Sequence, residues 1–130
     1  MALMFLNGGA MRGGPLHDEL RGAPLVAVAR TAPRYRYFSV GDRFPAMHGV
    51  ERGGGSVVGE VYDVPLAVLR DHLVPAEPPE LELGVVELAD GAACLATVLR
   101  RSAVDGPDLV DITEYGDWRT YCESRGLRGR

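Results

Sequence analysis

The sequence predicts an α+β fold, a small mixed β-barrel with short flanking helices. Three observations lead there. Short apolar or alternating runs recur along the chain, each bounded by Gly, Pro or Asp-Gly turn signals, which is the pattern of a many-stranded sheet. Leucines at helical spacing are confined to brief stretches. The 130 residues, 46% hydrophobic and 25% charged, suffice for one core. The expected organisation is a barrel domain over 1–112, with a C-terminal helix and tail, 113–130, packing on it.

Taken in order, Ala2–Leu6 is a first strand, an apolar run too short for anything but a buried one. Gly14-Pro15 opens a short helix with Pro at its first position, where the missing N–H costs nothing. Leu16 and Leu20 share a face of it, and Gly22 is expected as its C-cap. Leu25–Ala29 is a second strand. Arg34–Val40 alternates cleanly as a third, with one wet face. Gly41–Gly55, dense in Gly and Pro, reads as loop, and Ser56–Val64 as a fourth strand. Pro65–Leu73 places Leu66, Leu69 and Leu73 at helical spacing, and Val74–Glu80 is an acidic, Pro-rich turn. Leu81–Leu88 and Ala92–Leu99 form a hairpin about Asp90-Gly91, and Leu109–Ile112 is a last short strand. Asp117 caps a final helix in which Trp118, Tyr121 and Cys122 share a face and Gly126 ends it. Leu127–Arg130 is expected to fray.

The composition excludes several chemistries. All 14 basic residues are arginine, so there is no Schiff-base lysine, lysine general base or P-loop lysine. The net charge of -4 argues against nucleic acid as a partner. No apolar run reaches membrane-spanning length, and the opening residues lack the basic region of a secretory signal. A cytoplasmic location is therefore expected, with Cys94 and Cys122 as reduced thiols. His17, His48 and His72 have no second ligand at metal spacing, so neither metal nor cofactor is expected.

The stretch richest in chemistry runs from Asn7 to His17. Gly8, Gly9, Gly13 and Gly14 allow a loop that turns sharply and lets a ligand touch backbone N–H groups. Gly8-x-x-x-x-Gly13 is not followed by Lys-Ser/Thr, so a nucleotide P-loop is rejected, and no Gly-x-Gly-x-x-Gly fingerprint is present. Asn7, the sole Asn or Gln in the chain, stands where strand gives way to loop. Substrate binding is thus expected at Asn7, Gly8, Gly9, Ala10 and Met11, with His17 flanking the loop. Arg36 shares a strand face with Arg34 and joins the list as a carboxylate binder if that face lines the barrel mouth. Glu77, Glu80 and Glu82 crowd into six residues just before an apolar strand. A carboxylate over an apolar cavity gains a raised pKa and can act as general acid or base. A solvated acidic turn is the competing explanation of the cluster.

The run Phe5-Leu6-Asn7-Gly8-Gly9-Ala10-Met11-Arg12-Gly13-Gly14-Pro15-Leu16-His17 resembles the opening of gamma-glutamylcyclotransferase-like proteins. Asn7-Gly8-Gly9-Ala10-Met11 stands where that family has Tyr-Gly-Ser/Thr-Leu-Met. A closer resemblance is to the C-terminal domain of allophanate hydrolase. It is carried by 31–38, by 54–65 with its Glu60-Val61-Tyr62-Asp63-Val64-Pro65, and by 74–76 through 83–91. The resemblance implies a small mixed barrel with a ligand in its mouth, held by the first glycine loop. It also implies an acid/base Glu between the helix and the next strand, the segment that carries Glu77, Glu80 and Glu82. The implied activities are gamma-glutamyl-type cyclisation, breakdown of a small carboxylated urea, or cyclisation or isomerisation of a specialised metabolite. The amidase Ser-Ser-Lys machinery of a whole allophanate hydrolase is absent from these residues.

Two functions remain open on these grounds. One is a cofactor-free enzyme that binds a polar or carboxylated metabolite at the loop and moves a proton with one of the three glutamates. The other is a non-catalytic module for small-molecule binding or oligomerisation. A small-molecule partner is expected in either case, with no nucleic acid and no membrane, and a homodimer is left open. Whether any of the three glutamates faces a cavity beside Asn7 separates the two.

Overall fold

A computed structural model describes residues 2–130. Eight strands form two sheets. The larger has the order β2-β5-β1-β7-β6, comprising β1 (Ala2–Leu6), β2 (Leu25–Arg30), β5 (Val58–Val64), β6 (Leu81–Glu87) and β7 (Ala93–Leu99). The smaller has the order β4-β3-β8, built from β3 (Tyr35–Val40), β4 (Phe44–Gly49) and β8 (Leu109–Asp111). β1 runs antiparallel to β5 and parallel to β7, so it is central and its Met4 and Phe5 are fully buried. The fold is therefore mixed α+β, as the sequence predicts.

The large sheet curls without closing along its whole length. Its two edges meet at one bridge, Thr31 to Leu88, where Ala32 N–H donates to the Glu87 carbonyl and Ala89 N–H to that of Arg30, both at 2.9 Å. The concave face carries Phe5, Val61, Val86 and Ala96. Tyr35, Tyr37 and Met47 of the small sheet and Trp118, Tyr121 and Cys122 of the C-terminal helix (Trp118–Arg125) pack against it. On the opposite face, Met4, Leu6, Tyr62 and Val64 are covered by Leu20, Leu69 and Leu73. Period-2 alternation in β1 and β5 thus feeds two distinct apolar layers.

The structure departs from sequence expectation in four places. The stretch expected as loop from Gly41 to Gly55 contains β4, a whole strand. Pro45 lies in it without breaking a central ladder because β4 is a sheet edge. Second, the helix after Pro65 does not stop at Leu73. It continues through a wide π turn, Leu69–Leu73, into a last turn, Val74–Ala76. Pro75 lacks an N–H and its ring would crowd the Asp71 carbonyl in a regular helix, and the widened turn makes room. Third, the first helix is a single 3₁₀ turn, His17–Leu20, that begins beyond Pro15, and its left-handed C-cap is Arg21 rather than Gly22. Last, the tail is not splayed away. Leu127 packs against the core, and the Arg130 guanidinium donates to the Asp42 carbonyl at 2.6 Å.

Among the described residues, no helix is long and apolar enough to cross a membrane.

Candidate functional site

β1 ends at Leu6, and the chain turns at once into the glycine loop. Asn7 is buried, and its Oδ1 accepts from the Tyr37 hydroxyl. The loop then folds on itself: Met11 N–H donates to the Gly8 carbonyl, Gly14 N–H to that of Met11, and Leu16 N–H to that of Gly9. A Cβ on Gly8 would lie 2.7 Å from the Pro45 ring, and one on Gly14 would collide with the Gly9 carbonyl, so the fold requires glycine at both positions. Among the described residues, the N–H groups of Gly8, Gly9 and Ala10 donate to no protein acceptor.

These residues form one wall of a cavity of about 260 Å³. Leu6, Leu81 and Thr97, from the ends of β1, β6 and β7, make its floor. The β3–β4 hairpin supplies a second wall with Arg43, Phe44 and Pro45. Gly41 and Asp42 both have positive φ in that hairpin (58° and 55°), which suits a tight turn with strands of matching twist. Arg43 stands over the Phe44 ring, 5.2 Å from its centroid, and its guanidinium is 3.4 Å from Glu80.

The bent helix supplies the third wall through Ala76, Glu77 and Pro78. Glu77 is partly buried, and no donor among the described residues pairs with its carboxylate. Burial in these apolar surroundings pushes its pKa up from 4.5 to about 7. No cation offsets that rise, and among the described residues no ion pair joins Glu77 to an arginine. The cavity thus brings together an unpaired carboxyl of raised pKa, loop residues whose N–H groups have no protein acceptor, and the arginines Arg43 and Arg130.

Behind the loop, Arg12 is held by Glu60, a β5 carboxylate only 2% exposed. Arg12 N–H and Nε both donate to it at 2.9 Å, and the Tyr62 hydroxyl at 2.8 Å. Arg119 of the C-terminal helix approaches it at 3.4 Å and donates to the Arg12 carbonyl at 2.6 Å. Burial raises the Glu60 pKa, but the Arg12 amide, Tyr62 and the guanidinium together outweigh it and hold the carboxyl below its usual range. Burial and the same carboxylate push Tyr62 up to about 12.

The residues singled out from the sequence separate as follows. Asn7, Gly8, Gly9, Ala10 and Glu77 line the cavity. Met11 is buried on the far side of the loop. His17 lies beside the loop rather than in the cavity wall. Its Nδ1 is 3.0 Å from the Ala10 carbonyl, which can only accept, so Nδ1 carries the proton, and its ring meets Tyr62 edge-on. Glu80 points to Arg43. Glu82 is exposed and lies 3.2 Å from Arg100. Arg36 does not reach the cavity, because β8 lies beside β3 and Asp111 takes its guanidinium, with Nε 3.0 Å from Oδ2. Sequence reasoning missed Arg43 and Arg130. The Gly41-Asp42 turn was the available signal for Arg43. No cluster of three His, Cys, Asp or Glu side chains able to hold a metal occurs among the described residues.

Comparison with known proteins bears on this arrangement. The profile of the family "Allophanate hydrolase C-terminal domain" matches residues 2–123. The urea amidolyase of Saccharomyces cerevisiae is 30% identical over 123 residues, 89% of this chain but 7% of the yeast protein. Among solved structures, the uropathogenic E. coli-specific protein c4763 superposes with a TM-score of 0.87 at 35% identity, covering 94% of this chain and 95% of that one. Kluyveromyces lactis allophanate hydrolase gives 0.85 at 26% identity, covering 94% of this chain and 21% of the hydrolase. The chain therefore spans a small part of the long enzymes it matches and nearly all of c4763. The chain belongs to the allophanate hydrolase C-terminal domain family.

Proposed function

We propose that the cavity binds a small carboxylated amide or urea and that Glu77 is its general acid and base. The observation that carries this reading is the unpaired Glu77 carboxyl, with a pKa near 7, in the same cavity as the free N–H groups of Gly8, Gly9 and Ala10. Oriented N–H groups in a partly dry site receive a carboxylate, and a carboxyl that titrates near neutrality both gives and recovers a proton. Membership of the family supports a substrate of this class, and a cavity of about 260 Å³ suits one of this size.

For a nitrogen-bound carboxylate the step balances simply. The bond between nitrogen and the carboxylate carbon breaks, and its electron pair goes to nitrogen. Glu77 delivers its proton to that nitrogen and carbon dioxide leaves. The Glu77 carboxylate then takes a proton from water. Arg43 and the loop N–H groups hold the substrate by its far carbonyl or carboxylate oxygens.

The test compares carbon dioxide release from a carboxylated urea by the parent chain and by Glu77→Gln. The variant is expected to lose a factor of about a hundred or more in kcat, the usual worth of a positioned acid or base. An unchanged rate rules out the role for Glu77. Binding without turnover in the parent chain points instead to a non-catalytic module.

A further inference from the structure

We propose that Glu60 is the positioning residue of the glycine loop, setting the shape in which Gly8, Gly9 and Ala10 present their N–H groups to the cavity. The functional meaning of that shape rests on the carboxylate reading above; the positioning itself does not.

Glu60 faces Leu6 across the β1–β5 ladder, so its Cα is fixed beside the last strand residue before the loop. Its carboxylate accepts from the amide and the Nε of Arg12, which lies within the loop. Arg119 takes the Arg12 carbonyl. Both backbone groups of Arg12 are therefore engaged by elements outside the loop. The loop's own hydrogen bonds use the amides of Met11, Gly14 and Leu16 and the carbonyls of Gly8, Met11 and Gly9. The N–H groups of Gly8, Gly9, Ala10 and Gly13 have no protein acceptor among the described residues, and of these four residues Gly8, Gly9 and Ala10 line the cavity.

Charge supports the same assignment. A bare buried carboxylate behind an anion-binding loop would repel the ligand. Here it is flanked by two guanidinium groups, so the three together carry one positive charge. An apolar residue at position 60 would leave both guanidinium groups and the Arg12 amide without their acceptor. Tyr62, bonded to Glu60 and touching the His17 ring, links the anchor to the brace on the Ala10 carbonyl. Glu60 touches no part of the cavity itself and acts through Arg12.

The experiment follows the backbone amide resonances of Gly8, Gly9 and Ala10 in Glu60→Gln, first without ligand and then during titration with acetate. Thr31→Val, which alters a fully buried hydroxyl at the sheet bridge, serves as a variant that only destabilises. In Glu60→Gln the three resonances are expected to move or broaden in the free protein, and acetate to bind roughly tenfold more weakly, the effect of losing a charge-assisted contact. Thr31→Val is expected to lower the melting temperature and leave both readouts alone. Arg12→Met, at a half-exposed side chain, is expected to reproduce the Glu60→Gln pattern, and the double variant to add little to either. It also decides the question if Glu60→Gln does not fold. The proposal is overturned if the loop resonances of Glu60→Gln, or of Arg12→Met in its place, coincide with those of the parent chain. If the parent chain itself does not bind acetate, the carboxylate reading of the cavity falls, while the ligand-free resonances still decide the positioning role.

Discussion

The single Tyr37 hydroxyl proton is shared between two acceptors of Asn7, its backbone carbonyl and its Oδ1, each 3.0 Å from the phenol oxygen. Tyr37 belongs to the small sheet and Asn7 to the end of the large one, so a single phenol joins the two sheets at the cavity edge. With Oδ1 taken, the Asn7 amide NH₂ has no protein acceptor among the described residues. Tyr37→Phe removes the donor and leaves two acceptors beside a buried ring. It is expected to cost about 1–2 kcal/mol in denaturant unfolding and to weaken ligand binding through the loosened Asn7. Unfolding within experimental error of the parent would show that the link carries no stability.

The raised pKa of Glu77 ties stability to pH with a definite sign. Its folded value is about 7, above the ordinary 4.5, so the folded state holds the proton more tightly than the unfolded chain. Stability from this group is full below 4.5 and falls as pH rises through 7. Glu77→Gln is expected to flatten the pH dependence of unfolding over that interval. An equally steep dependence in the variant would assign the slope to another group.

Glu80 and Glu82 offer a contrast within the same segment. Each lies near an arginine, and neither lines the cavity. Gln at either position is expected to leave turnover unchanged and to shift stability by no more than about 0.5 kcal/mol, the ordinary worth of an exposed pair. Loss of activity in Glu80→Gln with Glu77→Gln unaffected would transfer the acid/base role between them.

Gly14→Ala forces a methyl group onto the Gly9 carbonyl, so the loop must open to accept it. A loss of about 2 kcal/mol or more is expected, together with loss of ligand binding. At Gly13 a Cβ meets nothing within 4 Å, and the obstacle is only its φ of 82°. Gly13→Ala is therefore expected to cost less, about 1 kcal/mol, with binding retained. Reversal of that order in thermal and binding measurements would contradict the loop geometry.

Much of the fold was legible because its signals are local. The apolar burst of β1, the Asp90-Gly91 hairpin and the Asp117 cap each act within a few residues, and all stand where the sequence puts them. β4 was hidden because Pro45 and its neighbouring glycines deny a strand locally, while the edge position that tolerates Pro45 is a property of the assembled sheet. Glu77 could not be told from Glu80 and Glu82 for a related reason. The three share one stretch of sequence and differ in what arrives from elsewhere: Arg43 from a hairpin, Arg100 from the end of the neighbouring strand, and no cation at Glu77. Arg36 shows the converse. Its wet face was readable, and its claim by Asp111 of β8 was not.

β6 begins at Leu81 in the cavity floor and runs out towards Leu88, where one bridge stitches the curled sheet together. Seam and cavity are thus at opposite ends of one strand. A change at Leu81 therefore reshapes the cavity while leaving untouched the stitch that keeps the sheet curled.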